Sequence, residues 1–139
     1  MTRHRVREHI FKILFGTEFH SVQEIDEQYD MYWSTEDDEP TDKEHEEIKA
    51  KIKAIIDNKA ELDDYIERFA KGWKLNRIGN ADLNILRIAI YEIKYDDNVP
   101  VKVAINEAVE FAKEYGTDNS SAFVNGILAG IVDEIGGDC

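Results

Sequence analysis

Residues 100–128 read PVKVAINEAVEFAKEYG, then TDNSS, then AFVNGIL, and this stretch decides the fold. Val101, Ala104, Ile105, Ala108, Ala112 and Tyr115 recur at helical spacing while Glu107, Glu110 and Glu114 fall on the other side, so the first part is an amphipathic helix. Pro100 suits its first turn, where a missing amide breaks no internal bond, and Gly116 is placed to end it in a left-handed conformation. Asn119, Ser120 or Ser121 then caps a second helix with apolar positions Phe123, Val124, Ile127, Leu128, Ile131, Val132 and Ile135. Ala122, Gly126, Ala129 and Gly130 form a strip of small residues on that helix. A glycine inside a helix costs about 1 kcal/mol relative to alanine, so two of them point to close approach by another helix.

The same periodicity extends outward from this hairpin. Residues 81–93 are apolar on more than one side, through Leu83, Ile85, Leu86, Ile88, Ile90 and Ile93, which makes that helix central and buried. Residues 72–80 read as a turn and short linker. Leu62, Tyr65, Ile66, Phe69 and Ala70 stripe one earlier helix and Ile48, Ile52, Ile55 and Ile56 another, with an interruption at Asn58. Thr41-Asp42-Lys43-Glu44 is a capping-box pattern. Residues 34–40 are an exposed connection ending in proline. A first helix over about 3–19 buries Val6, Ile10, Ile13 and Leu14, and a short second one covers 22–32. The expectation is an all-α fold, one compact domain of about seven helices, with an N-terminal subdomain over about 1–70 and a C-terminal subdomain over about 71–139.

The chain has 139 residues and a net charge of −13, which opposes nucleic-acid binding if the charge is spread evenly. It is not. Residues 1–15 carry +3, residues 16–47 carry −12, and residues 48–139 carry −4. Exposed charges more than about 8 Å apart are screened at physiological salt, so a basic patch acts locally. The acidic run reads as a solvated surface that also repels non-cognate RNA. A single cysteine, Cys139, excludes an internal disulfide framework and a cysteine-rich zinc site, and no segment has signal-peptide or membrane-span character, so a cytoplasmic location is expected.

Arg3, Arg5 and Arg7 occupy the first turns of a helix, where the positive end of the dipole disfavours cations; without local compensation they point to an anionic partner. The arginine fork binds phosphate and stacks on bases, which suits single-stranded RNA. The alternative is a solvated basic face. The elbow over 115–120 supplies the Tyr115 ring, backbone amides at a helix start and neutral hydrogen-bonding groups, a set that fits an unstacked base. Tyr115 and Phe123 also fit as core aromatics. Arg87, among apolar neighbours, requires an ion pair, with Glu92 or Glu107 as candidates. There is no phosphate-binding loop, nucleophile elbow or His-Glu-x-x-His pair, and His4, His9, His20 and His45 lack metal-ligand spacing, so neither an enzyme nor a cofactor or metal is expected.

Pro100, residues 102–109 (KVAINEAV), Ala112-Lys113, Gly116, Ser120 and Phe123-Val124-Asn125-Gly126 resemble the NusB family of transcription antitermination factors, as does the block at 83–92, which contains Ile85-Leu86-Arg87-Ile88-Ala89 and Tyr91-Glu92. The N-terminal half resembles it less closely. The resemblance implies an all-helical protein that binds a short single-stranded RNA element, boxA, together with NusE, which is also a small-subunit ribosomal protein. Within a complex with RNA polymerase it implies suppressed termination in ribosomal RNA operons. It implies RNA contacts for Arg3, Arg5, Arg7, Phe15, Tyr115, Asn119, Ser120 and Phe123, and a NusE face around Asp82 and Glu92. His4 stands where the family commonly has arginine, Val6 where it has alanine, and Phe15 where it often has tyrosine. Two other readings stay open: an interaction module associated with ribosomal-RNA modification, and a homodimer that masks the basic patch.

Overall fold

The computed structural model describes residues 1–17 and 25–135. Seven α-helices and one 3-10 turn lie among the described residues, with no strand: α1 (Arg3–Thr17), α2 (Ile25–Ser34), α3 (Asp42–Asp57), α4 (Lys59–Phe69), the turn Leu75–Arg77, α5 (Asn80–Tyr95), α6 (Val101–Tyr115) and α7 (Ser120–Ile135). The expected end of the first helix at Phe19, the expected start of the second at Val22, and His20 and Cys139 lie outside the described residues. The chain forms two units, Met1–Ile56 and Asp57–Cys139. A boundary near residue 70 was expected; α4 instead packs on α5 and α7 and so belongs to the second unit.

In the first unit, α1 buries Ile10, Phe11, Ile13 and Leu14 and packs against α2. The capping box at 41–44 forms in both directions. The Thr41 amide donates to Glu44 Oε1 at 2.9 Å and the Glu44 amide donates to Thr41 Oγ1 at 3.1 Å, satisfying two donors that a helix start leaves orphaned. Ile48, Ile52 and Ile55 are the buried stripe of α3. Tyr29, Trp33 and His45 pack edge to face between α2 and α3, and the Tyr29 hydroxyl lies 2.7 Å from His45 Nδ1.

In the second unit every residue from 83 to 90 is buried, as the all-round apolar pattern of α5 requires. Helix α5 packs on α4, α6 and α7. Arg87 within it is held in a fork by Asp63 of α4, Nε to Oδ1 at 2.7 Å and Nη2 to Oδ2 at 3.1 Å, with Asn84 Oδ1 accepting at 3.3 Å. That fork is what lets a guanidinium stay in an apolar helix. Ala104, Ala108 and Ala112 make one small-residue row on α6, with Phe111 buried beside it.

Two expectations about glycine are corrected. Gly116 is not left-handed; its φ is −95° and ψ −161°. A Cβ there would overlap the Ser120 side chain and meet the Ala112 carbonyl oxygen at 2.7 Å, so close approach, not a positive φ, is what demands glycine. Of the two glycines inside α7, Gly130 does lie against another helix, since a Cβ would meet Phe69 Cδ1 of α4 at 2.7 Å, whereas Gly126 faces open space.

Candidate nucleic-acid interface

Each unit carries one group of the residues singled out from the sequence. In the first, the opening residues of α1 have three different surroundings. Arg3 is exposed. Arg5 is half-buried, its Nε donating to Asp38 Oδ2 at 2.6 Å and its Nη1 donating to Glu8 one turn on. Arg7 is only 5% exposed. Arg5 and Arg7 therefore do not form an open basic face, and the expected absence of local compensation is corrected. Glu8 and Asp38 supply it, and both raise the Arg5 pKa, Asp38 the more.

Asp38 comes from the acidic connection, which is thus not wholly a solvated run. Its Oδ2 lies 2.7 Å from Nε2 of the fully buried His9 as well as on Arg5, and these two contacts, His9 first, hold its carboxyl below the ordinary range. The carboxylate requires a proton on Nε2; in the neutral ring, Nδ1 then accepts from the Tyr32 hydroxyl at 2.6 Å. Phe15 is 37% exposed and tilts against Phe11 with ring centroids 6.1 Å apart, so one aromatic edge of α1 remains at the surface.

In the second unit the elbow presents Thr117, Asp118 and Asn119 to solvent. Ser120, by contrast, is 2% exposed and holds the elbow from beneath. Its Oγ accepts the Thr117 amide at 2.8 Å and donates to Asp82 Oδ2 at 3.0 Å. Since its one hydrogen goes to Asp82, the Thr117 hydroxyl at 3.3 Å is the donor in that third contact. Asp82, in the first turn of α5, therefore ties the start of α5 to the start of α7. Its other oxygen, Oδ1, is buried with no hydrogen-bond partner among the described residues, and burial pushes the carboxyl up against the opposing pull of Ser120.

Asp82 was expected to stand exposed to a basic partner; it is half-buried and bonded inward. Glu92 is 1% exposed, so its carboxylate is out of reach of a partner's surface. Tyr115 is half-buried with its ring tilted 31° to Phe111. Phe123, also half-buried, meets Trp73 edge to face at 6.5 Å. Trp73 went unnoticed in the sequence because 72–80 reads as a linker, although a tryptophan flanked by Lys71, Lys74 and Arg77 with no acid was a visible signal.

Among the described residues no helix is long and apolar enough to cross a membrane, and no group of side chains could hold a metal ion. The arrangement offers arginines, exposed rings and a hydrogen-bonded turn: equipment for binding. A family model described as the NusB family matches residues 4–133. The transcription antitermination protein NusB of Agathobacter rectalis is 52% identical over 129 residues, covering 93% of this chain and 98% of that protein. Its counterpart from Lachnoclostridium phytofermentans is 47% identical over 133 residues, covering 96% and 100%. A solved structure of T. maritima NusB superposes with a TM-score of 0.83 at 38% identity, covering 96% of this chain and 92% of that one. With its helical fold superposed on a solved NusB and its sequence matched over residues 4–133, the chain belongs to the NusB family of transcription antitermination proteins.

Proposed function

We propose that this chain binds boxA single-stranded RNA together with NusE, and that the assembled complex acts on RNA polymerase to suppress termination in ribosomal RNA operons. Likeness over most of the chain to proteins named for antitermination supports this reading, since the family match over residues 4–133 takes in Arg5, Arg7 and the elbow. The role is occupancy of an RNA segment in the cytoplasm, not chemistry.

Each unit contributes its own RNA element. In α1, Arg3 and the outer part of Arg5 meet phosphate, Phe15 offers a ring, and buried Arg7 braces the helix from below. In the elbow, Tyr115 and Phe123 offer faces for bases and Asn119 a neutral hydrogen-bonding group, while Ser120 and Asp82 fix the backbone that presents them. NusE raises the affinity by adding its own surface, a coupling that must be reciprocal.

Fluorescence anisotropy with labelled boxA RNA, with and without NusE, tests this. Tighter binding with NusE is expected, and with about two phosphate contacts from α1 log affinity falls against log salt with a slope of about −1.4. Equal affinity for boxA and a scrambled RNA under both conditions would refute it.

A further inference from the structure

Residues 68–81 hold four bases, Arg68, Lys71, Lys74 and Arg77, and no acid, in a chain whose net charge is −13. Arg68 is already engaged, forked onto Glu134 at 2.6 and 2.7 Å. Lys71, Lys74 and Arg77 are exposed and make no ion pair among the described residues. In their midst Trp73 is 55% exposed. A large apolar ring left in water is an informative observation, because tryptophan gains more from burial than most side chains.

The backbone fixes that exposure. Lys71 and Gly72 have positive φ, 31° and 88°, and turn the chain out of α4. The Trp73 amide then donates to the Ala70 carbonyl at 3.3 Å, and the 3-10 turn that follows is anchored by buried Ile78. The indole is thereby set at 72° to the ring of Phe123, at the start of α7. An edge-to-face pair uses at most one ring face between its members, so the pair keeps faces on which a base can stack.

We propose that Trp73, with Lys71, Lys74 and Arg77, is a further single-stranded RNA contact, in which a base stacks on the indole beside Phe123 and the three cations neutralise adjacent phosphates. This rests on the RNA-binding reading above and extends its surface away from the elbow. Charge decides between occupants: three unpaired cations around a ring fit a polyanion with aromatic bases better than an apolar protein face. Continuity with Phe123 gives the strand a path from the elbow onto the indole.

The test uses the full chain with boxA RNA extended by several nucleotides at either end, in the presence of NusE. Trp73→Ala is expected to weaken binding roughly tenfold, within the range for loss of one base stack, while Trp73→Phe retains most of the affinity. On the extended RNA these three contacts should steepen the wild-type salt slope by about 2 beyond that from α1, and neutralising Lys71, Lys74 and Arg77 together to Gln should remove that increment. RNA should quench tryptophan emission in the wild type and much less in Trp73→Phe, which keeps only Trp33. Circular dichroism melts confirm that each variant is folded. Unchanged RNA affinity in both Trp73→Ala and the triple variant, with Arg5→Ala weakened in parallel, would overturn this contact and leave the RNA reading standing. A wild-type chain that fails to bind RNA would overturn both. Loss of NusE binding in Trp73→Ala with RNA affinity of the chain alone unchanged would overturn it in favour of a protein contact.

Discussion

Ser120→Ala removes one oxygen and should unsettle two helix starts. The Thr117 amide loses its acceptor at 2.8 Å and Asp82 Oδ2 loses its donor at 3.0 Å, beside an Oδ1 that has no partner among the described residues. A neutral hydrogen bond is worth about 1 kcal/mol net and one to a charged group about 1.5–3, so with Asp82 only partly buried the expected loss is about 2–3 kcal/mol. For a chain of this length that lowers the thermal midpoint by roughly 6–9 °C. The pH dependence carries a sign. Burial raises the Asp82 carboxyl in the folded state and the Ser120 bond opposes that rise. A raised carboxyl lends stability below its ordinary range and loses it as pH climbs through the folded value, so deleting Ser120 Oγ should cost more at about pH 7 than at about pH 4. Urea denaturation followed by circular dichroism at both pH values measures this, with Asp82→Asn in the Ser120→Ala background as the control that flattens the difference. A loss under about 0.5 kcal/mol, or one equal at the two pH values, would refute the bracing role.

Gly116→Ala should cost about 1–3 kcal/mol by overpacking, since the added Cβ meets a backbone oxygen that cannot yield as a side chain would; an unchanged melting midpoint would contradict this. Asp38→Asn should remove one of the two carboxylates that hold Arg5, leaving Glu8, and tighten RNA binding at low salt, with the gain disappearing at high salt in the same anisotropy assay. Because Asp38 is held below the ordinary carboxylate range, the stability it lends is present above that range and lost as pH falls through the lowered value, so acid titration of the Asn variant should lack that component. Tyr115→Ala should weaken RNA binding by about 1–3 kcal/mol, with a stability loss below the roughly 3–5 kcal/mol of a fully buried aromatic because the ring is half-exposed. Unchanged affinity of the folded variant would remove Tyr115 from the RNA surface.

Helical periodicity made the helices legible, and the capping box at Thr41 and Glu44 formed as its spacing required. The apolar girdle of α5 marked it as central before any packing was known. What periodicity cannot carry is which polar residue another element will cover. Asp38 reaches Arg5 across 33 positions and Asp63 reaches Arg87 across 24, and neither pairing leaves a local trace. Ser120 reads as a helix cap and Asp82 as an exposed acid until their contact, 38 positions apart, turns both inward. Gly116 shows how the right residue can be read for the wrong reason: steric room and left-handed φ both call for glycine, and only the position of Ser120 tells them apart.

The layered packing of the second unit also sets an order of events during synthesis. Neighbouring helices α5 and α6, then α6 and α7, pack as consecutive hairpins, a local topology that favours fast folding once the chain is available. Yet α5 is apolar nearly all round, and α7 contributes part of the cover over that girdle. While the ribosome is still making α6, a nascent chain therefore displays an apolar helix covered by α4 alone, the kind of partly exposed segment that chaperones hold. Helix α7 adds to the cover over that face and, through Ser120, sets the elbow in the same step. Chains cut short before it should be captured and degraded, not left as half-active competitors for RNA.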